Sequence, residues 1–314
     1  MNNTKSLKGV LAPVVTPFKG DLSPDIDRYV AHCKWLVSQN CGLAAFGTNS
    51  EANSLGADER MMLLDTLVEE GIDPSRMMPG TGCCSISETV RLTKQAVRLG
   101  CAGVLMLPPF YYKDVSEEGL YRFFNEVIQR IGDDRLRVYL YHIPPIAVVG
   151  LTPKLVERLF KTYPTAIAGM KDSSGDWNNT KIYLDAFSKS GFDVFVGAES
   201  FFLANMQSGG AGTISAGANV NAAAIHKLYM EWQNADAEAQ QADISAVRDI
   251  LGSKYLMIAA LKQTIAIYAD DPAWTKVRPP LLELSEEQAE SLEAELRQIG
   301  FTMPGLTAID ADSY

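Results

Sequence analysis

What this sequence lacks narrows it quickly. Its 314 residues hold no G-x-G-x-x-G after the first apolar run and no P-loop, so neither a dinucleotide-binding doubly wound sheet nor a phosphate-cradling loop of that kind is expected. No stretch approaches the ~18 uninterrupted apolar residues of a membrane span, and the opening MNNTKSLKGV has no apolar core of a secretory signal. A cytoplasmic protein with no membrane partner is the expectation. Basic residues are in deficit: 28 Lys and Arg against 38 Asp and Glu give a net charge of -10, which disfavours nucleic acid, whose phosphates need a basic face. Histidine is scarce and scattered, at His32, His142 and His226. Five cysteines, Cys33, Cys41, Cys83, Cys84 and Cys101, include no C-x-x-C. No metal site is expected from these residues, and the thiols read as reduced.

What is present is a soluble composition, 47% hydrophobic, ample for a core without staples in a chain this long. Short apolar runs alternate with amphipathic ones. Candidate strands lie at 10–18, 42–48, 76–82, 103–109, 136–144, 166–171, 193–199 and 212–217. Most start ~20–35 residues apart, the spacing of serial βα units. Several are apolar at successive positions, the mark of parallel strands covered on both faces. The intervening segments carry helix grammar: Ser23 before Pro24, Ser85 three residues before Glu88, Thr152 before Pro153. Eight such units in series predict an α/β fold, a (β/α)8 TIM barrel. Residues 1–218 form its core in this reading. Residues 219–314 supply the last barrel helix and a C-terminal helical extension within the same unit, with Ser285 as a cap and a frayed end, IDADSY.

Barrel chemistry sits where strands end and βα loops begin. The polar residues falling there are Gly47-Thr48-Asn49-Ser50-Glu51, Tyr141-His142, Lys171-Asp172-Ser173-Ser174, and the run from Gly209 to Ile214, with Phe110-Tyr111-Tyr112-Lys113 after the fourth candidate strand. Lys171 closes the apolar run 166–170. An isolated ammonium there is costly, and burial favours the uncharged amine, a nucleophile toward a ketone that forms a Schiff base. A lysine snorkelling to the rim, or pairing with a carboxylate, is the plain alternative; Asp172 is adjacent, though strand alternation would point the two apart. Tyr141 adds a phenol able to relay protons, with Thr48 as a hydroxyl partner. The small turn at 47–50 offers backbone N–H groups that could face a carboxylate. Without further information, Tyr141 and this turn have equally ordinary structural readings.

Together these residues resemble the dihydrodipicolinate synthase and N-acetylneuraminate lyase superfamily of Schiff-base aldolases and lyases, from Gly9 to about Gly300. GVLAPVVTPF resembles its first strand, GTNSE its GTTGE or GSTGE loop, YHIP its Y-N-x-P motif, GMKDSSGD its G-x-K-D-S motif and SGGAGTIS its eighth-strand loop. The resemblance implies that Lys171 forms an imine with pyruvate or another 2-oxo acid. It implies Tyr141 as acid and base, Thr48 linking Tyr141 to an aromatic hydroxyl, and Thr48 with Asn49 on the substrate carboxylate. Ile214 would lend backbone near the imine. Tyr111, with Tyr112 as rival, would reach a neighbouring subunit's site in a homotetramer built as a dimer of dimers. The acceptor face would involve the loop after YHIP and the region of Glu199 and Ser200.

The departures bear on the substrate. Ile146 stands where dihydrodipicolinate synthases place an arginine, which removes the anchor for a second carboxylate. Asn49 is similar to the GSNGE loop of 4-hydroxy-2-oxoglutarate aldolases. Ser50 replaces a glycine, where a positive φ is less comfortable. His142 replaces an asparagine and bears on the acceptor pocket or packs, and Trp177 lines an acceptor or packs. The reading is a class I aldolase or lyase that makes or cuts a C–C bond between a 2-oxo acid and an aldehyde-type co-substrate through a lysine imine. It needs no metal or organic cofactor. Dihydrodipicolinate synthase, a 2-keto-3-deoxy sugar acid dehydratase and a catalytically silent 2-oxo acid binder are the alternatives.

Overall fold

The computed structural model describes residues 7–307; the end expected to fray, 309–314, lies outside them. The chain forms two compact units. One takes the residues up to Gly9 with Asp73–Ile214; the other takes Val10–Ile72 with the chain from Ser215 on.

In the first unit, β3 (Val104–Met106), β4 (Val138–His142), β5 (Ile167–Asp172), β6 (Asp193–Val196) and β7 (Gly212–Ile214) pair in parallel, each with the next. Nearly every strand residue is buried on either face, which is why these runs are apolar without alternation. β1 (Gly9–Ala12), which belongs to the second unit from Val10 on, pairs in parallel with β2 (Gly42–Leu43) from Leu11 to Ala12. The helices Ala218–Glu231, Ala237–Ser253, Met257–Ala269 and Glu286–Gln298 also belong to this unit. Among the described residues, no single helix is long and apolar enough to cross a membrane.

The third expected strand, 76–82, is reduced to one parallel bridge, Gly80 to Leu105. Pro79 accepts from Leu105 N–H at 2.9 Å, and Thr81 N–H donates to Leu105 at 3.0 Å. A proline has no N–H to continue a ladder, so the pairing does not extend. The caps at Thr152 and Ser285 form as expected, accepting from Leu155 and Gln288 N–H at 3.1 and 3.2 Å. Ser85 receives Glu88 N–H at 3.4 Å. The first helix, Ile26–Ser38, is capped by Asp25 rather than Ser23; the Ser23 hydroxyl is held by Asp21 at 2.6 Å instead.

Candidate active site

β4 and β5 run in register, with Tyr141 beside Lys171 and His142 beside Asp172. Strand alternation sends these two pairs to opposite faces. On the first face Lys171 is 3% exposed, and its Nζ lies 3.4 Å from the Tyr141 hydroxyl and 4.5 Å from the ring centroid. The next strand brings Phe195, fully buried, alongside Lys171. The lysine therefore neither snorkels nor pairs with Asp172. Ile214 closes β7 on this unit and is fully buried.

Asp172 belongs to the other face. Its carboxylate accepts from Ser174 N–H (2.9 Å), the Ser174 hydroxyl (3.0 Å), the Asn179 amide (3.2 Å) and the Thr180 hydroxyl (2.5 Å). It thus ties the loop after Lys171 to the helix Trp177–Phe187. Hydrogen bonds to a charged group contribute about 1.5–3 kcal/mol. Asp172→Ala is expected to lose about 2–3 kcal/mol of stability in urea unfolding; an unchanged midpoint would show the tie to be dispensable.

His142 shares that face. Its Nδ1 accepts Leu151 N–H at 2.9 Å and its ring lies 6.0 Å from that of Tyr183, whose hydroxyl donates to the Leu151 carbonyl. Burial pushes the imidazole pKa down, against an opposing pull from Asp172. Of the two readings of His142, acceptor pocket or packing, these contacts are those of packing, and alternation turns it away from Lys171. Trp177 likewise rests against Phe201.

Beyond β4, Ile146 sits on the short helix Pro144–Ala147 and is 61% exposed. Tyr111 and Tyr112 are both strongly exposed and meet edge to face at 5.3 Å; nothing in their burial separates them. Lys113 fastens their loop by donating to the carbonyls of Phe110 and, at 3.0 Å, Ala147. Glu199, expected on the acceptor face, is buried.

In the second unit, Thr48 and Asn49 lie half-buried on the 3-10 turn Thr48–Ser50. Of the four N–H groups at 47–50, those of Gly47 and Ser50 bond inside the turn. Gly47 N–H donates to the Ser50 hydroxyl at 3.1 Å, Ser50 N–H to Gly47 and Glu51 N–H to Thr48, both at 3.1 Å. Ser50 escapes the predicted strain: the positive φ falls on Phe46 (61°) and Glu51 (55°).

Sequence reasoning passed over what holds this turn. Glu51 is fully buried at the side chain, as is its partner Lys262 on the helix Met257–Ala269. The other Glu51 oxygen accepts Arg278 N–H at 2.9 Å, and Lys262 also donates to the Lys276 carbonyl at 2.7 Å. The Arg278 guanidinium continues to Glu59 (2.8 Å), Ser54 (2.6 Å) and Leu22 (2.8 Å). Burial lowers the Lys262 pKa to about 8 despite Glu51. The only sequence signal was a lysine in a largely apolar helix.

Comparison with known proteins shows the family and the fold. Residues 6–299 match the dihydrodipicolinate synthetase family. An uncharacterized DapA-like lyase of Chloroflexus aurantiacus is 31% identical over 295 residues, 93% of this chain and 97% of that protein. Among solved structures, dihydrodipicolinate synthase from Agrobacterium tumefaciens superposes with a TM-score of 0.86 at 30% identity, covering 93% of this chain and 99% of that one. YagE, a prophage protein of the dihydrodipicolinic acid synthase family from E. coli K12 in complex with pyruvate, gives 0.85 at 26% identity, covering 95% and 100%. The fold is a (β/α)8 TIM barrel with C-terminal helices.

Proposed function

The chain belongs to the dihydrodipicolinate synthetase family and is a Schiff-base aldolase or lyase of carbon–carbon bonds, and from that premise we propose that Lys171 is its reacting amine and Tyr141 its proton relay. The observation that carries the proposal is the buried approach of Lys171 Nζ to the Tyr141 hydroxyl, 3.4 Å. The amine adds to the C2 carbonyl carbon of pyruvate or a related 2-oxo acid. Tyr141 passes a proton to the carbonyl oxygen, which departs as water, leaving a protonated imine. In the cleavage direction the imine is that of a 4-hydroxy-2-oxo acid: Tyr141, having given up its proton to the departing water, takes the C4 hydroxyl proton, the imine draws in the electrons of the C3–C4 bond, an aldehyde leaves and an enamine remains. Protonation at C3 and hydrolysis then release the 2-oxo acid and free the lysine. Addition runs the same steps backward. The imine is the electron sink, so this scheme draws on no metal or organic cofactor.

Thr48 and Asn49 are proposed for the substrate carboxylate, and Ile214 for backbone beside the imine, on the strength of the motif resemblance. Ile146 is apolar and exposed, which supports an aldehyde partner without a carboxylate at that place. It argues against carrying over the 4-hydroxy-tetrahydrodipicolinate synthase activity named for several relatives. We further propose a homotetramer in which Tyr111 or Tyr112 crosses to a neighbouring subunit.

Tyr141→Phe keeps the ring and removes the relay. Its expected effect is a kcat lower by ~10²–10⁴-fold, with the KM for the 2-oxo acid changed far less. Steady-state kinetics over a panel of aldehydes with pyruvate reads both constants and names the preferred partner. A Tyr141→Phe enzyme with undiminished kcat, or a panel without a single product, would remove the basis of the scheme.

A further inference from the structure

A cavity of about 680 Å³ opens in the first unit, at the opposite strand ends from Lys171. Arg137 and Tyr139 of the β4 entry, Ala168 of β5 and Asp193 of β6 contribute to its wall. Lys171 stands three residues further along β5 than Ala168, about 10 Å at the rise of a strand. The N-terminal face of such a barrel ordinarily serves stability, and there the space is filled. Here Ala168, Ala102, Gly100 and Gly191 leave it open. Gly169 cannot fill it either, since a Cβ there would meet the Asp193 carbonyl oxygen at 2.2 Å.

The charge around this cavity runs against that of the chain. In a protein of net charge -10, four cations, Lys8, Arg76, Arg135 and Arg137, line it against the single carboxylate of Asp193. That carboxylate is engaged, by Lys8 at 3.5 Å and the Tyr139 hydroxyl at 3.3 Å. Arg135 has Asp133 at 2.7 Å. Among the described residues, half-buried Arg137 bonds to carbonyls, those of Asp134 (2.9 Å) and Leu136 (2.7 Å). A carbonyl satisfies a donor without neutralising it. Cations gathered on one wall repel one another, and an anion among them relieves that repulsion with charge-assisted bonds. Leu7, Val97 and Pro164 give the same cavity an apolar side.

We propose that this cavity is a second ligand site, separate from the Lys171 centre, for a small molecule carrying a phosphate or carboxylate on an apolar body. Arg137 and Arg76 face the oxyanion, and the apolar side takes the body.

Isothermal titration calorimetry on the Lys171→Ala variant tests this without interference from imine formation, so its failure leaves the proposed reaction untouched. Phenyl phosphate, benzoate, inorganic phosphate and benzylamine are the probes. Phenyl phosphate or benzoate is expected to bind once per chain, and the stronger of the two identifies the oxyanion; inorganic phosphate binds more weakly and benzylamine does not bind. Adding Arg137→Gln or Arg76→Gln should weaken binding tenfold or more, and Ala168→Leu should weaken it by occupying the space. Arg122→Gln, whose side chain is 77% exposed on the helix Glu117–Ile131, should change nothing. The proposal is overturned if neither phenyl phosphate nor benzoate saturates, if Arg137→Gln binds as tightly as its parent, or if Arg122→Gln loses as much.

Discussion

Lys171→Ala is expected to abolish turnover of every 2-oxo acid and to leave the fold intact. The size of the loss follows from what the amine supplies. A covalent route replaces one difficult step by several easier ones, and removal of a nucleophile costs on the order of 10⁴–10⁶ in kcat where this has been apportioned. No other described lysine can substitute by moving a short way. Lys262 is committed to Glu51, and Lys113 to the carbonyls of Phe110 and Ala147. The fold should survive because alanine exchanges a costly buried amine for a methyl group and leaves a space beside Phe195 and Tyr141. Incubation with pyruvate and borohydride makes the test independent of the unknown aldehyde. The unmutated chain should gain the mass of one reduced pyruvate on the peptide containing Lys171, and the variant should gain none. Should the variant be labelled equally, the imine forms elsewhere; should neither be labelled under conditions that mark a known aldolase, the proposed amine is not reactive.

The sequence made Lys171 conspicuous because an apolar run ended in a lone cation, and the same run gave its strand. The pairing with Tyr141 was also within reach. Both stand near the ends of consecutive strands, and the structure adds the register that sets them side by side. The two readings of His142 divide on an equally local point. It follows Tyr141 directly, so if one faces Lys171 the other cannot; the motif comparison drew attention to its identity and away from its parity. The strand expected at 76–82 failed at Pro79, where composition reads as apolar and extended but the ladder lacks a donor. Ser50 illustrates the limit of substitution reasoning. The strain expected where glycine was replaced is carried by Glu51 instead, because the Ser50 hydroxyl closes the turn onto Gly47. What holds Glu51 was not legible at all, since its partner lies 211 residues away and no local pattern connects a turn to a helix at that separation.

That long-range pair gives the second large effect. Lys262→Met conserves volume in an apolar helix and removes the charge opposite Glu51. Among the described residues the carboxylate is then left with Arg278 N–H at 2.9 Å and no ion-pair partner, the Arg278 guanidinium acting on it only through space, at a site where both side chains are fully buried. Breaking a buried pair from one side costs about 3–5 kcal/mol, because the remaining charge stays desolvated. In a chain of this length each kcal/mol moves the thermal midpoint by roughly 2 °C, so a fall of about 6–10 °C is expected. Glu51→Gln in the same background removes the stranded charge and should recover more than half of the loss, a coupling that a double-mutant cycle reads directly. Two independent packing defects would instead add. The pair also has a place in the proposed reaction, since Glu51 directly follows the turn carrying Thr48 and Asn49. The single variant, assayed well below its midpoint, should show a raised KM for the 2-oxo acid with a smaller change in kcat, because Lys171 and Tyr141 stand on other strands. A Lys262→Met protein that melts where the unmutated chain does would mean that the carboxylate tolerates the loss of its cation, and the turn would then owe its shape to Arg278 and the Ser50 hydroxyl.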